Sequence, residues 1–463
     1  MTQLVWFRND LRVEDNPALS TAMRAGPTAA CFVLSPAQWR EHDVGDNRLS
    51  FLLRCLQSLQ AELTALNVPL TVLNAERFAD VPETLGRFVA RNKIDALYLN
   101  HEYPWNEARR DRAVMGEMDG LGVAVHGFHG SVVHPPGTVL TEKGAPYGVF
   151  TPFKRRWLGL LTESAAKPIA KPRRQPQAPQ VAEKALPKKI DGVSDAVLAD
   201  LWPGGTAEAR KRLRAFCRGP VMDYNAQRDL PAEPGTSSLS PYLSIGAIGP
   251  RTCLQAIGAS ETHRANGLEE GPATWLSELI WREFYRHVTA QFPHVSRGLP
   301  FKRDTDCIPW RDAPDEFAAW CEGHTGYPLV DAGMRQLVQT GWMHNRVRMV
   351  TAMFLSKHLL IDWRQGEAFF MQHLVDGDFA ANNGGWQWSA STGTDAAPYF
   401  RIFNPESQAK KCDRSGVYIR SYVPELADAE VQGGAGSLTP GYPQPIVEHR
   451  LARERALAAF KGG

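Results

Sequence analysis

The sequence predicts an α/β fold with a Rossmann-like parallel sheet in its N-terminal part, followed by an all-α C-terminal domain. Three observations carry this reading. Up to about residue 130, short apolar runs alternate with helical patterns, the mark of strands joined by crossover helices. Beyond Gly205 the apolar residues recur at helical spacing. The 463 residues also exceed what one core usually organises.

Strands are expected at LVWF, AACFVL, PLTVLN, ALYLN and VAVHGF, with RLSFLLRCLQSLQAELTAL as a helix among them. No G-x-G-x-x-G follows the first strand, where WFRNDLRVEDNPAL stands instead. A sheet of this kind is therefore expected without NAD. The boundaries are read as 1–130 for the α/β domain, 131–205 for an interdomain linker and 206–463 for the helical domain. Thr162 to Lys189 contains Pro168, Pro172, Pro176, Pro179 and Pro187 without a sustained period, which predicts a linker lying over the surface. Helices follow at AEARKRLRAFC, WLSELIWREFYRHVTAQF, PLVDAGMRQLVQTGWMHNRVRMVTAMFLSKHLL and EAFFMQHLV.

Composition limits the class. With 43% hydrophobic and 22% charged residues the chain reads as globular and soluble. Its net charge of only +2 requires any nucleic-acid partner to be met by a local basic patch. The seven Cys form no C-x-x-C, which disfavours a disulfide framework, a zinc site or an iron–sulfur cluster; no metal is expected. MTQLVWFRND has no signal-peptide core and no apolar run is long enough to span a bilayer, so a cytoplasmic protein without a membrane partner is predicted.

Several segments look built for more than packing. Ala381 to Pro405, ANNGGWQWSASTGTDAAPYFRIFNP, holds two Trp one residue apart and few aliphatic residues, which suggests indoles used for electronic work alongside Trp363 and Trp310. WLSELIWREFYRH places Trp275, Glu278, Arg282 and Tyr285 on adjoining helical rows with Trp281 beside them; an ordinary amphipathic helix with core indoles has the same pattern. TGWMHNRVRMV puts Trp342, Asn345 and Met349 on one helical face, with Arg346 and Arg348 on others. That amide is either functional or a locally satisfied structural group. DGDFAANNGG sets Asp376 and Asp378 before a Gly-rich turn, where two Asp make a poor metal loop but can face a hydrogen-bonding cofactor edge. Thr236, Ser237, Ser238 and Ser240 form a hydroxyl-rich turn that either holds phosphate or starts a helix.

Together, WFRNDLRVEDNPAL, WLSELIWREFYRH, TGWMHNRVRM, IDWRQGE and DGDFAANNGGWQWSASTGTDAAPYFRIFNP stand in the order and spacing of the DNA photolyase and cryptochrome family. The sequence closely resembles the class I cyclobutane pyrimidine dimer photolyases of bacteria, from residue 3 to about 425 and again at YPQPIVEHR. The resemblance implies that the all-α domain binds FAD, with the pyrophosphate near Thr236, Ser237, Ser238, Leu239 and Ser240, and Tyr224 on the adenosine side. Trp275, Arg282 and Trp342 would close the pocket. Asp376, Gly377 and Asp378 would line the isoalloxazine and ribityl region, and Arg348 would pair with Asp376. Asn382 matches the position facing flavin N5, where plant cryptochromes carry Asp.

By the same resemblance, reduced FAD (FADH⁻) excited by light would pass an electron to a flipped-out dimer and recover it after both carbon–carbon bonds open. Trp281 and Trp388 would wall the dimer slot, while Glu278 and Asn345 hydrogen-bond the bases and Met349 packs on them. Glu278 is further expected to be protonated and to donate to a pyrimidine carbonyl. Trp386, Trp363 and Trp310 would form the chain that re-reduces FAD. UV-damaged DNA would be gripped by Arg228, Arg346, Arg401 and Gln408, with Lys154, Arg155 and Arg156 adding charge. The enzyme would act as a monomer in the bacterial cytoplasm, at the nucleoid when bound to damage.

The antenna is expected to be 5,10-methenyltetrahydrofolate held by His42, Asn106 and Glu107. The family's further Cys-Lys pair is here Ser296 and Arg297, which keeps a flavin or deazaflavin antenna as alternatives. Ser238 replaces the family's Arg in the T-S-R-L-S turn. ADAEVQGGAGSLTPG replaces an I-H-x-P-W segment, so a shortened surface connection is expected over 427–440. A signalling cryptochrome and a dark flavin oxidoreductase are the competing classes.

Overall fold

The protein is described from a computed structural model covering residues 1–181, 185–194, 199–259, 267–427 and 439–461. All five expected strands form: β1 (Thr2–Phe7), β2 (Thr28–Leu34), β3 (Leu70–Asn74), β4 (Ile94–Asn100) and β5 (Ala124–Phe128). They pair in parallel in the order β3-β2-β1-β4-β5. β1 is central, with Val5 opposite Ala30 on one side and Tyr98 on the other. Its near-continuous apolar run follows from burial on both faces. At the end of β1, where a dinucleotide fold would offer glycines to phosphate, Asp10 accepts from Asn100 Nδ2 at 2.6 Å and from the Arg8 N–H at 2.7 Å.

The Pro-rich connection is stitched to the sheet rather than simply laid over it. Gln175 is buried; its Oε1 accepts from Thr28 N at 2.8 Å, and its Nε2 donates to Thr28 O at 2.9 Å and Asn67 O at 2.6 Å. Backbone groups at the start of β2, beyond the reach of β3, and in the turn before β3 are satisfied by this side chain.

The chain divides into two compact units, one of 1–222 with 237–296 and the other of 223–236 with 297–463. This differs from the 1–130, 131–205 and 206–463 division expected from sequence. The reason lies in packing within the first unit. There α1 (Asp46–Ala65), α2 (Trp105–Gly120) and α3 (Phe150–Leu160) are joined by α4 (Thr206–Cys217), α5 (Ser240–Ser244) and α6 (Glu270–Gln291). α3 and α6 pack directly, with Phe153 and Phe284 ring centroids 5.0 Å apart. Glu283 of α6, 2% exposed, accepts from Val133 N at 2.6 Å, His134 N at 2.8 Å and Trp157 Nε1 at 2.6 Å. One carboxylate thereby fixes the helix to the segment that leaves the sheet.

In the second unit, α7 (Pro328–Thr340), α8 (Asn345–Met353), α9 (Trp363–His373), α10 (Phe379–Ala390), α11 (Pro405–Cys412) and α12 (His449–Lys461) surround a core that includes Trp320, Trp363 and Trp386. The single long pattern read from PLVDAG to SKHLL is broken twice. Gly341 ends α7 at φ +65, a conformation that suits glycine, and a π-helical turn, Phe354–Leu359, follows α8. The expected surface connection falls largely on 428–438, outside the described residues.

Glu283→Ala should lower stability by about 3 kcal/mol, because three buried donors lose their acceptor. Urea unfolding followed by circular dichroism measures it; an unchanged midpoint would contradict the anchoring role.

Candidate active site

In the first unit, α6 carries Trp275, Glu278, Trp281 and Arg282, as the spacing predicts. Arg282 donates through Nη1 to Ser131 O at 2.8 Å and through Nη2 to Leu243 O at 3.0 Å. Since Leu243 lies on α5, this guanidinium brings α6 to the helix that follows Ser237, Ser238 and Leu239. Ser238 sits at φ +49, a left-handed turn position that Ser accepts at some cost. Trp275 is buried against Phe216, with centroids 5.2 Å apart. Trp281 is half-buried and stacks on Phe150 at 3.7 Å, leaving a supported indole at the surface. Lys154 donates to Ser277 Oγ at 2.6 Å, while Arg155 and Arg156 are exposed.

His42, Asn106 and Glu107 do converge, although 64 residues separate the first two. His42 Nε2 lies 2.9 Å from Asn106 Nδ2, and Nδ1 lies 3.6 Å from Glu107 Oε1. Gln38 Nε2, 3.1 Å from the same ring nitrogen, joins them. Burial, and then Glu102, push the Glu107 carboxyl up to about 7, and burial lowers His42. The cluster therefore sets a neutral imidazole beside a carboxyl that is only partly ionised near neutral pH.

In the second unit the Gly-rich turn expected after Asp378 is instead helical. Asp378 caps α10 by accepting from Ala381 N at 3.1 Å, and Asn382 to Gly385 continue the helix. Asp376 is buried and receives Arg348 Nη2 at 3.1 and 2.9 Å, as expected. Arg348 Nε also holds Met343 O at 2.7 Å. Asn382 is buried; its amide nitrogen donates to Glu367 O at 3.0 Å, and among the described residues its carbonyl oxygen accepts from none. Gly377 needs no glycine for space, since an added Cβ would meet only ordinary contacts at 3.4–3.5 Å. No cluster of His, Cys, Asp or Glu able to hold a metal occurs among the described residues.

Trp342 does not share a helical face with Asn345 and Met349. It precedes α8, because the left-handed Gly341 ends the previous helix. Asn345 opens α8 and is exposed, with Met349 half-buried one turn later. Thus the amide faces outward rather than interrupting a buried stripe. His344 caps α8 through Nδ1, which accepts from Arg346 N at 3.2 Å. That bond requires an unprotonated Nδ1, and burial pushes His344 down to about 4.

The indoles sort by exposure. Trp386 and Trp363 are 2% and 1% exposed within one core cluster, and half-buried Trp310 packs against it. The buried Trp386 Nε1 has no partner among the described residues. The expectation that this segment avoids ordinary packing is corrected: Trp386 packs on Phe370 at 4.9 Å and on Trp320 at 6.0 Å. Trp388 is half-buried. Among the expected DNA contacts, Arg346 is paired with Asp229, which also lies 3.9 Å from Arg228. Arg228 in turn lies over the buried Tyr224 ring at 5.7 Å. Arg401 is exposed, and Gln408 sits half-buried on α11. Sequence reasoning missed Glu367, whose carbonyl holds Asn382 and whose Oε1 accepts from Asn383 Nδ2 at 2.9 Å.

Asn382 with its open carbonyl oxygen, the Arg348–Asp376 pair and the Trp386, Trp363 and Trp310 indoles thus lie in one unit. The comparisons give the class of protein. Residues 3–175 match the DNA photolyase family model, and residues 275–462 match the FAD binding domain of DNA photolyase. The chain is 42% identical to the deoxyribodipyrimidine photo-lyases of Salmonella typhimurium and Escherichia coli, covering 99% of this chain and 98% of each relative. A bacterial class III photolyase from Agrobacterium tumefaciens superposes with a TM-score of 0.89 at 35% identity, over 100% of this chain and 97% of that one. The chain belongs to the DNA photolyase family. No described helix is long and apolar enough to cross a membrane.

Two predictions follow from this geometry. A Cβ at Gly366 would lie 2.1 Å from Trp386 Cη2 and 2.6 Å from Leu355 Cδ2. Gly366→Ala should therefore cost about 1–3 kcal/mol by overpacking and alter near-ultraviolet circular dichroism; unchanged stability and spectrum would contradict the contact. For His344, the folded-state pKa lies below the unfolded one, so the unfolded chain binds the extra proton. Stability should be complete above about pH 6.5 and fall as pH drops toward 4. His344→Gln should flatten this part of the stability profile, and identical profiles would refute the assignment.

Proposed function

We propose that this protein uses light to split cyclobutane pyrimidine dimers in DNA, as a deoxyribodipyrimidine photo-lyase of class I. The observation that carries this reading is its likeness, over nearly the full length, to proteins named for that activity. The residues fit FAD: Asn382, a buried residue, offers an open acceptor for a ring N–H, and the Arg348–Asp376 pair offers fixed polar edges. On this reading Tyr224, Thr236 and Ser237 to Ser240 hold the adenosine and pyrophosphate. Trp275, Arg282 and Trp342 enclose the cofactor, and Gly377 and Asp378 complete its rim.

FAD held by these residues would supply light-driven one-electron chemistry to the lesion. The chain's own residues make this possible by placing the lesion. Trp281 and Trp388 stack on the extruded bases, worth about 1–3 kcal/mol per base, which offsets much of the cost of flipping a lesion already poorly stacked. Glu278 and Asn345 hydrogen-bond the base edges, and Met349 packs against them. Neither Asn345 nor Met349 can shuttle a proton, which favours the cyclobutane dimer over a lesion whose repair needs acid–base steps. Arg228, Arg346, Arg401 and Gln408 hold the flanking phosphates; for Arg346 this means exchanging Asp229 for phosphate. Trp310, Trp363 and Trp386 relay electrons inward to keep the cofactor reduced. The α/β region serves the antenna, with His42, Asn106 and Glu107 holding a folate.

Matched oligonucleotides should lose cyclobutane dimers and keep six-four photoproducts under the same near-ultraviolet exposure; efficient six-four repair would sink the substrate assignment. Trp310→Phe should block photoreduction of the oxidised protein while sparing repair by chemically reduced protein. Equal loss of both would assign the indole to packing.

A further inference from the structure

Lys357 is fully buried in the π-helical turn Phe354–Leu359, and no carboxylate among the described residues pairs with it. Its Nζ donates to Ser391 Oγ at 2.7 Å and lies 3.2 Å from Arg401 O, 3.3 Å from Tyr399 O and 3.5 Å from Pro398 O. Ser391 Oγ donates onward to Ala397 O at 2.6 Å. The carbonyls of one loop are thus gathered around a single buried charge. With the carbonyls drawn inward, the side chains that follow are presented outward: Phe400 is 60% exposed, Tyr399 is 37% exposed, and Arg401 is exposed.

A buried ammonium without a counter-ion is costly, and methionine would fill similar space with no such cost. The charge therefore needs an explanation beyond packing. π-helical turns often occur at functional sites, and this one aims the lysine at the loop. Lys302 grips the same loop, through N–H to Thr392 O at 2.9 Å and Nζ to Ser391 O at 3.5 Å. Phe460 of α12 lies over the Lys357 ammonium at 5.7 Å and stacks with Tyr399 at 6.5 Å. Both flank the loop without supplying negative charge.

We propose that Lys357 is a positioning residue for damaged DNA: its ammonium holds the 391–401 loop so that Arg401 and the exposed Tyr399 and Phe400 rings meet the strand around the lesion. This rests on the reading of the protein as a photo-lyase. The hold depends on charge, because a neutral amine has fewer donors and a weaker pull on carbonyl dipoles. Burial, then Lys302, push Lys357 down to about 7. On the same turn His358, pushed down by burial to about 3, is neutral, and His449 and Arg455 beyond it supply no negative charge. Raising pH through neutrality should therefore release the loop.

The test measures dark binding of an oligonucleotide bearing one cyclobutane dimer to the FAD-loaded protein, from about pH 6 to 9 at fixed salt. Wild type should lose about tenfold in affinity across that range, while Lys357→Met and Lys357→Gln bind about tenfold more weakly at pH 6 and vary little. Hydrogen exchange of the 391–401 amides without DNA, corrected for intrinsic rates, should rise with pH in wild type and be fast in either variant that folds. Wild-type affinity, pH profile and loop protection in either variant would overturn the proposal. Failure of wild type to bind dimer DNA at any pH would count against the photo-lyase reading; loop exchange would then decide the lysine's role by itself.

Discussion

The packing of the Trp386 indole onto Gly366 is the contact on which the second unit's chemistry depends. Ring carbons occupy the space where a side chain at 366 would stand, so α9 and α10 approach at a distance only glycine permits. That approach places Glu367, one residue on, where its carbonyl meets Asn382 and its carboxylate meets Asn383. Gln387 then continues the line, donating to Asn383 Oδ1 at 2.8 Å and accepting from Phe301 N at 2.7 Å. The orientation of Asn382, with its nitrogen satisfied and its oxygen open, is thus a consequence of close helix packing. An amide fixed in this way can recognise a ring N–H without first losing rotamer freedom.

A parallel division of labour governs the first unit. Glu283 and Arg282 are consecutive on α6 yet project to different partners, one to backbone N–H groups at 133 and 134 and the other to carbonyls at 131 and 243. Each ion is buried or half-buried against oriented backbone dipoles, where removing one partner costs far more than the pair contributes at a surface. The two leave Glu278, one turn earlier, and Trp281, next to Arg282, on a helix that has little freedom to rotate. Rigid support of this kind suits the base-contacting role proposed for them.

Much of this was legible in the sequence. The inner strands were readable because β1, β2 and β4 are buried on both faces and read as apolar runs, and α6 because its periodicity is long. The convergence of His42, Asn106 and Glu107 followed from resemblance, since nothing local links residues in separate elements. What was not legible depended on tertiary contacts or on a single backbone torsion. Gly341 at φ +65 moved Trp342 off the α8 face, and the cap by Asp378 turned an apparent Gly-rich loop into helix. The compact units do not break at 130 and 205, because α4 and α6 pack with the sheet-bearing unit, which no compositional shift reveals. Lys357 sits in an amphipathic run where a lysine reads as solvent-facing; only the oxygens of a loop more than thirty residues away disclose its burial.

The central claim is that these residues hold a light-driven dimer-splitting site. It is tested most directly by incubating the FAD-loaded, reduced protein with a dimer-bearing oligonucleotide and counting remaining dimers after illumination and after an equal time in darkness. The account predicts dimer loss in the illuminated sample alone, with intact pyrimidines restored. Loss in both samples, or in neither, would contradict it.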